Sequence, residues 1–323
     1  MENKKVVMIS TGGTIASKKN ESTGLLTSGL MTGQELSTRC NLPNFIEVEV
    51  DSAFQIPSNK MDFDSLMVLK LKIEQTFERE DVSGIVVTHG TDTLEETAYF
   101  LDLVIKDERP VVVTGSQRGP DEMGTDSFVN LRQSFLLSVN ENAFGLGVLT
   151  LFNERIFCSK YLQKTHSSNV AGFSAHGYGY IGTIDQDKVK ILQKPIKQEK
   201  FELKEKLPHV EILKTSIGSS DIFIKSAIEN NIQGLIIEAA GRGHVPPNIM
   251  EAIRTAVEKG IVVVVTTSAE EGNVKVIYDF PGSAYDLKKS GVILGSDYDS
   301  KKARIKLAVL LAAEKEKLDS YFD

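Results

Sequence analysis

Tryptophan is absent from this 323-residue chain, cysteine occurs twice and histidine only five times. Cys40 and Cys158 lie far apart and belong to no metal or redox spacing. That excludes a disulfide-stapled scaffold and a zinc module, and both read as reduced thiols. The histidines are scattered, with no His-Glu-x-x-His pair, so no metal centre is expected. Positive charge is also short: 37 Lys and Arg against 44 Asp and Glu leave a net charge of -7. That is the wrong sign for a chain whose main partner is nucleic acid. No apolar run nears the roughly 20 residues of a membrane span; Ile261–Val265 and Leu307–Ala313 are far too short. The first residues lead into only a brief apolar run before Ser10 and Thr11, without the core and cleavage site of a secretory signal. The expected compartment is the cytoplasm, with neither membrane nor nucleic acid as partner. What remains is an ordinary folding composition, 41% hydrophobic and 25% charged, in a chain long enough for two domains.

Short β-branched runs alternate with helical patterns, which predicts parallel sheets flanked by helices. Val6–Ile9, Gly84–Thr88, Pro110–Thr114 and Gly147–Phe152 read as strands. Phe63, Leu66, Leu69, Ile73 and Phe77 recur at helical spacing behind Asp62 or Asp64 as a cap, and Leu94, Ala98, Leu101 and Ile105 mark another helix face. From Asn153 to about Asp187 the helical period is lost and glycines cluster around Gly172–Gly182, predicting hairpins or meandering strands. Lys188–Leu207, rich in Lys, Gln and Glu with Pro195 and Pro208 near its edges, reads as a surface linker. A second βαβ series follows, with strands at Val210–Leu213, Leu235–Ile237 and Ile261–Val265. A helix begins at Pro246-Pro247, and an amphipathic segment over Ser300–Leu318 carries Ile305, Ala308, Val309 and Ala312. The fold expected is α/β, with two unequal domains and mostly parallel sheets. Residues 1–190 make a larger N-terminal domain with a hairpin-rich segment, 191–209 a linker, and 210–323 a smaller C-terminal βαβ domain.

Two strand ends stand out, because ligands in open α/β sheets bind beyond the carboxyl ends of the strands. Thr11-Gly12-Gly13-Thr14 and His89-Gly90-Thr91-Asp92-Thr93 both fall there. Glycines after a strand let backbone approach a ligand closely and leave N–H groups free to donate. A plain alternative is that both are turns whose Asp92 or Thr93 only caps the next helix. Together they hold the parts of a threonine-nucleophile site. A threonine hydroxyl is weak until a base removes its proton, and a solvated carboxylate such as Asp92 is a poor match. A buried lysine serves better, since desolvation lowers its pKa. Lys164 is one candidate, although spacing does not select it among the many lysines. His89 and His166 adjoin the motifs, His166 on the strand face of Lys164. Gly241-Arg242-Gly243-His244-Val245-Pro246 partly mimics a dinucleotide loop but has Pro246 in place of the third glycine. No P-loop and no Gly-x-Ser-x-Gly elbow is present, so no cofactor is expected.

The segments Thr11–Ala16 and Thr88–Thr97 closely resemble the two signatures of the bacterial-type L-asparaginase family. The resemblance continues through Val113–Arg118, Lys164–Asn169 and Lys302-Ala303-Arg304, spanning nearly the whole chain, and points to the cytoplasmic type I branch. It implies hydrolysis of L-asparagine to L-aspartate and ammonia through a β-aspartyl acyl-enzyme. Thr14 is the implied nucleophile. Thr91, Asp92 and Lys164 correspond to the proton-handling set, Asp92 also holding the substrate α-amino group. Ser58 matches the serine that binds the α-carboxylate, and Asn59 stands where the secreted enzymes usually have Gln. Backbone N–H groups near Gly13, Thr14 and Thr91 are the expected donors to the developing oxyanion.

Two departures from the secreted enzymes are visible. Their loop tyrosine falls nearest Leu26 here, which leaves Thr23 or Thr27 to support Thr14. Their second-domain Asn and intersubunit Glu have no match, Arg242 and Tyr285 being the substitutes on offer. A homodimer or homotetramer is implied. Two rival readings are an amino-acid sensor without turnover and the amidase subunit of a tRNA-dependent amidotransferase. The latter would normally bring an extra N-terminal domain before the first strand.

Overall fold

In the computed structural model, which describes residues 3–20, 22–27, 30–196 and 198–322, the apolar runs at the start of the chain form a sheet buried on both faces. Strand β1 is Lys4–Gly12. A one-turn 3-10 helix at Thr14–Ala16 follows, then a small hairpin of β2, Lys18–Lys19, and β3, Leu26–Thr27. Helix α1, Gly33–Arg39, opens with a capping box between Thr32 and Glu35, satisfying two otherwise orphaned N–H groups. β4 is Ile46–Ile56, α2 is Phe63–Phe77 and β5 is Val82–Thr88; α3 is Leu94–Val104 and β6 is Val111–Thr114. The Asp62 carboxylate, not Asp64, caps α2 by accepting the Ser65 N–H at 2.8 Å. α4, Ser127–Ser138, leads to β7, Val148–Phe152.

β4, β1, β5, β6 and β7 are mutually parallel neighbours in the order β4-β1-β5-β6-β7. Alternation sends Val6 and Met8 to one face, against Leu36 of α1 and Leu131 and Phe135 of α4. Val7 and Ile9 face the other way and are equally buried. Four of these strands are aligned at one level near their carboxyl ends. Ser10 lies beside both Ser52 and Thr88, and Thr88 beside Thr114. The segments that follow them therefore share one edge of the sheet.

Beyond β7 the connections shorten and the strands turn antiparallel. β8, Arg155–Cys158, is joined to β7 through Asn153-Glu154, at φ 47° and 63°. β9, Gln163–Lys164, pairs with β10, Phe173–Ser174. β11, Gly182–Asp185, and β12, Lys188–Ile191, form another hairpin with Gln186-Asp187 at φ 45° and 64°. Paired positive φ values at a two-residue loop give the twist that a tight hairpin needs. β8, β11 and β12 extend the large sheet to eight strands.

The chain divides into two units, residues 1–200 and 201–323, a boundary inside the stretch expected as linker. β12 takes up the head of that stretch. Gln198 and Lys200 then bond within the first unit, to Gly145 and to Asp102. In the second unit Phe201 is buried, and the Lys204 and Glu205 N–H groups donate to Ala312.

The second unit has a four-stranded parallel sheet of β13, Val210–Lys214, β14, Gly234–Ala239, β15, Val262–Thr267, and β16, Ile293–Leu294. Its helices are α5, Ile222–Glu229, α6, Met250–Glu258, α7, Ala284–Lys289, and α8, Ser300–Ala312. α8 ends at Ala312, short of the Leu318 expected, and is buried on more than the one face that an amphipathic segment would bury. It buries Lys302 and Lys306 with its apolar residues, the Lys306 ammonium donating to the Tyr298 hydroxyl at 2.6 Å. No helix among the described residues is long and apolar enough to cross a membrane, and Cys40 and Cys158 are free thiols.

Candidate active site

The carboxyl edge of β4, β1, β5 and β6 gathers the two signature segments, the Ser58 turn and Gly115–Gln117 in the first unit. Glycine makes the assembly possible. Gly13, at φ 82°, lies so close to the next segment that a Cβ there would come within 2.5 Å of the Gly90 nitrogen. A Cβ on Gly90 would in turn meet the Ser58 Oγ at 2.7 Å. The first two segments thus touch backbone to backbone, and the Ser58 side chain lies directly against the Gly90 backbone, approaches only glycine permits. Thr11 ties the first two together by donating its hydroxyl to the Thr88 carbonyl at 2.9 Å.

Thr14 is the first residue of the 3-10 turn after β1 and is half-buried. Its hydroxyl has no hydrogen-bond partner among the described residues. Thr91 is buried, and its hydroxyl accepts from Lys164 Nζ at 2.8 Å while donating to Gln117 Oε1 at 3.3 Å. The same ammonium donates to Asp92 Oδ1 at 2.7 Å. The Lys164 side chain is 13% exposed and that of Asp92 70%, so the pair runs from the interior to the surface. Asp92 keeps its second oxygen without a partner among the described residues. Neither Asp92 nor Thr93 caps α3 through its side chain. Thr93 instead donates to the Ser58 carbonyl at 2.9 Å, fastening the second signature to the Ser58 turn. The plain helix-cap alternative for these two residues is therefore set aside.

Ser58 is buried at the head of a 3-10 turn, and Asn59 beside it is exposed. His166 lies past the end of β9 and so does not share a strand face with Lys164; its Nδ1 accepts the N–H groups of Ser168 and Asn169 at 3.1 and 3.0 Å. Thr23 and Thr27 are exposed, and neither hydrogen-bonds to Thr14; the Leu26 side chain lies outside the described structure. Arg242 and Tyr285 belong to the second unit, where Arg242 is exposed and Tyr285 sits under the Lys289 ammonium. The glycine-rich loop at Gly241 closes on itself through a bridge between Ala240 and His244, unlike a loop opening a phosphate-binding helix.

Two further residues belong to the site. Glu95, 2% exposed, accepts the Lys164 backbone N–H at 2.7 Å and so sets the lysine from behind. In sequence it looks like an ordinary acid in the first turn of a helix. Gln117 holds the Thr91 hydroxyl and donates weakly to the His166 carbonyl at 3.4 Å; its own backbone N–H is pinned by Asp126 at 3.0 Å. No residue cluster with the makings of a metal site occurs among the described residues.

An unpartnered threonine hydroxyl, a second threonine held by a lysine, and a carboxylate at the surface, all beyond the carboxyl edge of a parallel sheet, define an α/β amidohydrolase. The chain belongs to the asparaginase family: residues 5–197 match the family model for "Asparaginase, N-terminal" and residues 209–321 that for "Glutaminase/Asparaginase C-terminal domain". It is 51% identical to the L-asparaginase of Bacillus licheniformis over 320 residues, 99% of each chain. Identity to L-asparaginase 2 of Escherichia coli (strain K12) is 27%, covering 96% of this chain and 90% of that one. A solved structure, the probable cytoplasmic L-asparaginase from Campylobacter jejuni, superposes with a TM-score of 0.87 at 29% identity and covers 99% of each chain.

Proposed function

We propose that Thr14 is the nucleophile with which this chain hydrolyses L-asparagine to L-aspartate and ammonia. The observation that carries the reading is the Lys164 ammonium shared between Thr91 and Asp92, at 2.8 and 2.7 Å, on a segment packed against the Thr14 turn. Thr14 Oγ attacks the side-chain amide carbon, and the carbonyl π-electrons move onto oxygen. Collapse of the tetrahedral adduct breaks the C–N bond, and the nitrogen leaves with a proton as ammonia. Water then attacks the β-aspartyl ester, the Oγ–C bond breaks, and Thr14 recovers its proton.

Thr91 and Lys164 handle the protons, the threonine hydroxyl relaying between lysine and the reacting groups. A carboxylate beside them at the surface suits the substrate α-ammonium, and Ser58, with Asn59 next to it, suits the α-carboxylate. The N–H groups at Gly13, Thr14 and Thr91 supply donors for the oxyanion, the kind of fixed dipole that contributes most in a site shielded from water. We place the chain in the cytoplasm, in keeping with the name of its Campylobacter relative, and read the working form as a homodimer or homotetramer. Light scattering tests the second point.

The deciding experiment measures ammonia release from asparagine and from glutamine by the wild-type chain and by Thr14→Ala. Loss of a nucleophile removes on the order of 10³-fold or more of turnover. Thr14→Ala is expected to reach that loss with an unchanged melting temperature, and residual turnover above a tenth of wild type sinks the assignment. An asparagine sensor would bind the amino acid and release no ammonia at all.

A further inference from the structure

His89, at the head of the second strand-end loop, is fully buried and has no part in the chemistry so far. Its Nδ1 lies 2.8 Å from the carbonyl oxygen of Gly90, and its Nε2 lies 3.0 Å from the Thr97 hydroxyl. A carbonyl oxygen only accepts, so Nδ1 carries the proton. Nε2 is then a lone pair, and Thr97, buried in α3, donates to it. Both ring nitrogens are thus committed and the tautomer is fixed. Burial pushes the imidazole pKa down to about 4, against the opposing pull of the Gly90 carbonyl, so the ring stays neutral at ordinary pH.

The Gly90–Thr91 peptide is trans, which turns its C=O and N–H in opposite directions. The carbonyl is held toward the buried imidazole, and the Thr91 N–H therefore faces away from it. That N–H has no hydrogen-bond partner among the described residues, although the Thr91 hydroxyl has two. Glycine at 90 has no side chain to restrain this peptide, and its neighbours Gly13 and Ser58 only limit where it can move. Among the described residues, the imidazole is the one group that hydrogen-bonds to this peptide.

We propose that His89 is a positioning residue: its Nδ1–H sets the plane of the Gly90–Thr91 peptide and thereby aims the Thr91 N–H at the oxygen that becomes negative during attack. This rests on the reading of Thr14 as nucleophile given above.

The test compares kcat and KM for asparagine in the full chain for His89→Asn, His89→Gln, His89→Leu and Thr14→Ala. The amide nitrogen of Asn stands as many bonds from Cα as Nδ1 does, while that of Gln is one carbon further out. Misplacing an oxyanion donor lowers kcat by roughly 10²-fold. His89→Gln and His89→Leu are expected to show that loss with KM within about threefold. His89→Asn should keep kcat within about fivefold of wild type. Should His89→Leu not fold, the Asn and Gln pair decides alone. Equal losses in Asn and Gln, a Gln variant within threefold of wild type, or a loss carried by KM overturns the inference. An indifferent His89 series beside an inactive Thr14→Ala chain rejects the positioning role alone; an active Thr14→Ala chain rejects the nucleophile reading and this inference together.

Discussion

Both units end parallel strands in threonines and glycines, yet only one of those edges is equipped for chemistry. In the second unit the outermost polar groups at the strand ends, Thr267 and Glu238, find protein partners, although the buried Thr266 hydroxyl has none among the described residues. The Thr267 hydroxyl donates to the Gly241 carbonyl at 2.6 Å and accepts the Ala269 N–H, and Glu238 receives Ser300 at 2.6 Å and Lys214 at 2.7 Å. In the first unit Thr11 and Thr114 do the same structural work, donating to the carbonyls of Thr88 and Leu151. Thr14, the Thr91 N–H and one Asp92 oxygen are left without protein partners among the described residues, beside a lysine already in place. Gly-Thr at a strand end is thus a neutral feature. A site arises where several such ends are brought into contact and their hydrogen bonds are left incomplete.

Removing the lysine should break the contrast most strongly. Lys164→Met keeps the length of the side chain and deletes its proton chemistry, and kcat is expected to fall 10²–10⁴-fold with little change in the melting temperature. A loss under tenfold would make the lysine a structural strut like Lys214. Next comes Gly13→Ala, which pushes a methyl into the Gly90 backbone from a positive-φ position. It should cost about 3 kcal/mol in urea unfolding and abolish activity. Gly241→Ala, also at positive φ but with nothing within 4 Å of the added Cβ, should cost only about 1 kcal/mol. Equal costs would remove close packing as the distinguishing property of the first edge.

A similar energy hangs on pH. His89 binds its proton near pH 6.5 when unfolded and near pH 4 when folded. Between those values the unfolded chain holds the extra proton, so stability falls as pH is lowered from 6.5 to 4 and rises as it is raised. The contribution is about 3 kcal/mol, and the decline should be shallower in His89→Asn. Parallel slopes for the two chains would contradict it. The smallest effect is expected from Thr267→Val, about 1 kcal/mol for one hydrogen bond, read as a shift in the urea midpoint.

The strongly apolar elements are legible without a structure. β1, β5, β6, β14 and β15 appear as continuous β-branched runs because both faces of their sheets are covered, and the period of α2 marks Phe63–Phe77 within the bounds observed. β4 is harder to read. Its charged residues Glu47, Glu49 and Asp51 alternate along a half-exposed edge strand, and apolar content alone does not mark it. α4 buries Asn130, Gln133, Ser134 and Ser138 beside Leu131 and Phe135, so buried polar residues blur the apolar period that would mark a helix between β6 and β7. α8 departs from its amphipathic reading in the opposite sense, since Lys302 and Lys306 are buried there with the apolar residues.

For the site, residue order alone determines that glycines and threonines follow two strands, and the resemblance of those segments to known signatures carries the choice of Thr14, Thr91, Asp92, Lys164, Ser58 and Asn59. Local propensity reaches that far because turns and strand runs are made by neighbours in the chain. Only the tertiary structure decides which of many lysines meets Thr91, that Glu95 holds this lysine from behind, and that His89 grips the Gly90 carbonyl. Those contacts join residues up to 73 positions apart or depend on which way a single peptide faces. Such relations are set by packing and hydrogen-bond geometry, and they leave no periodic trace in the order of residues.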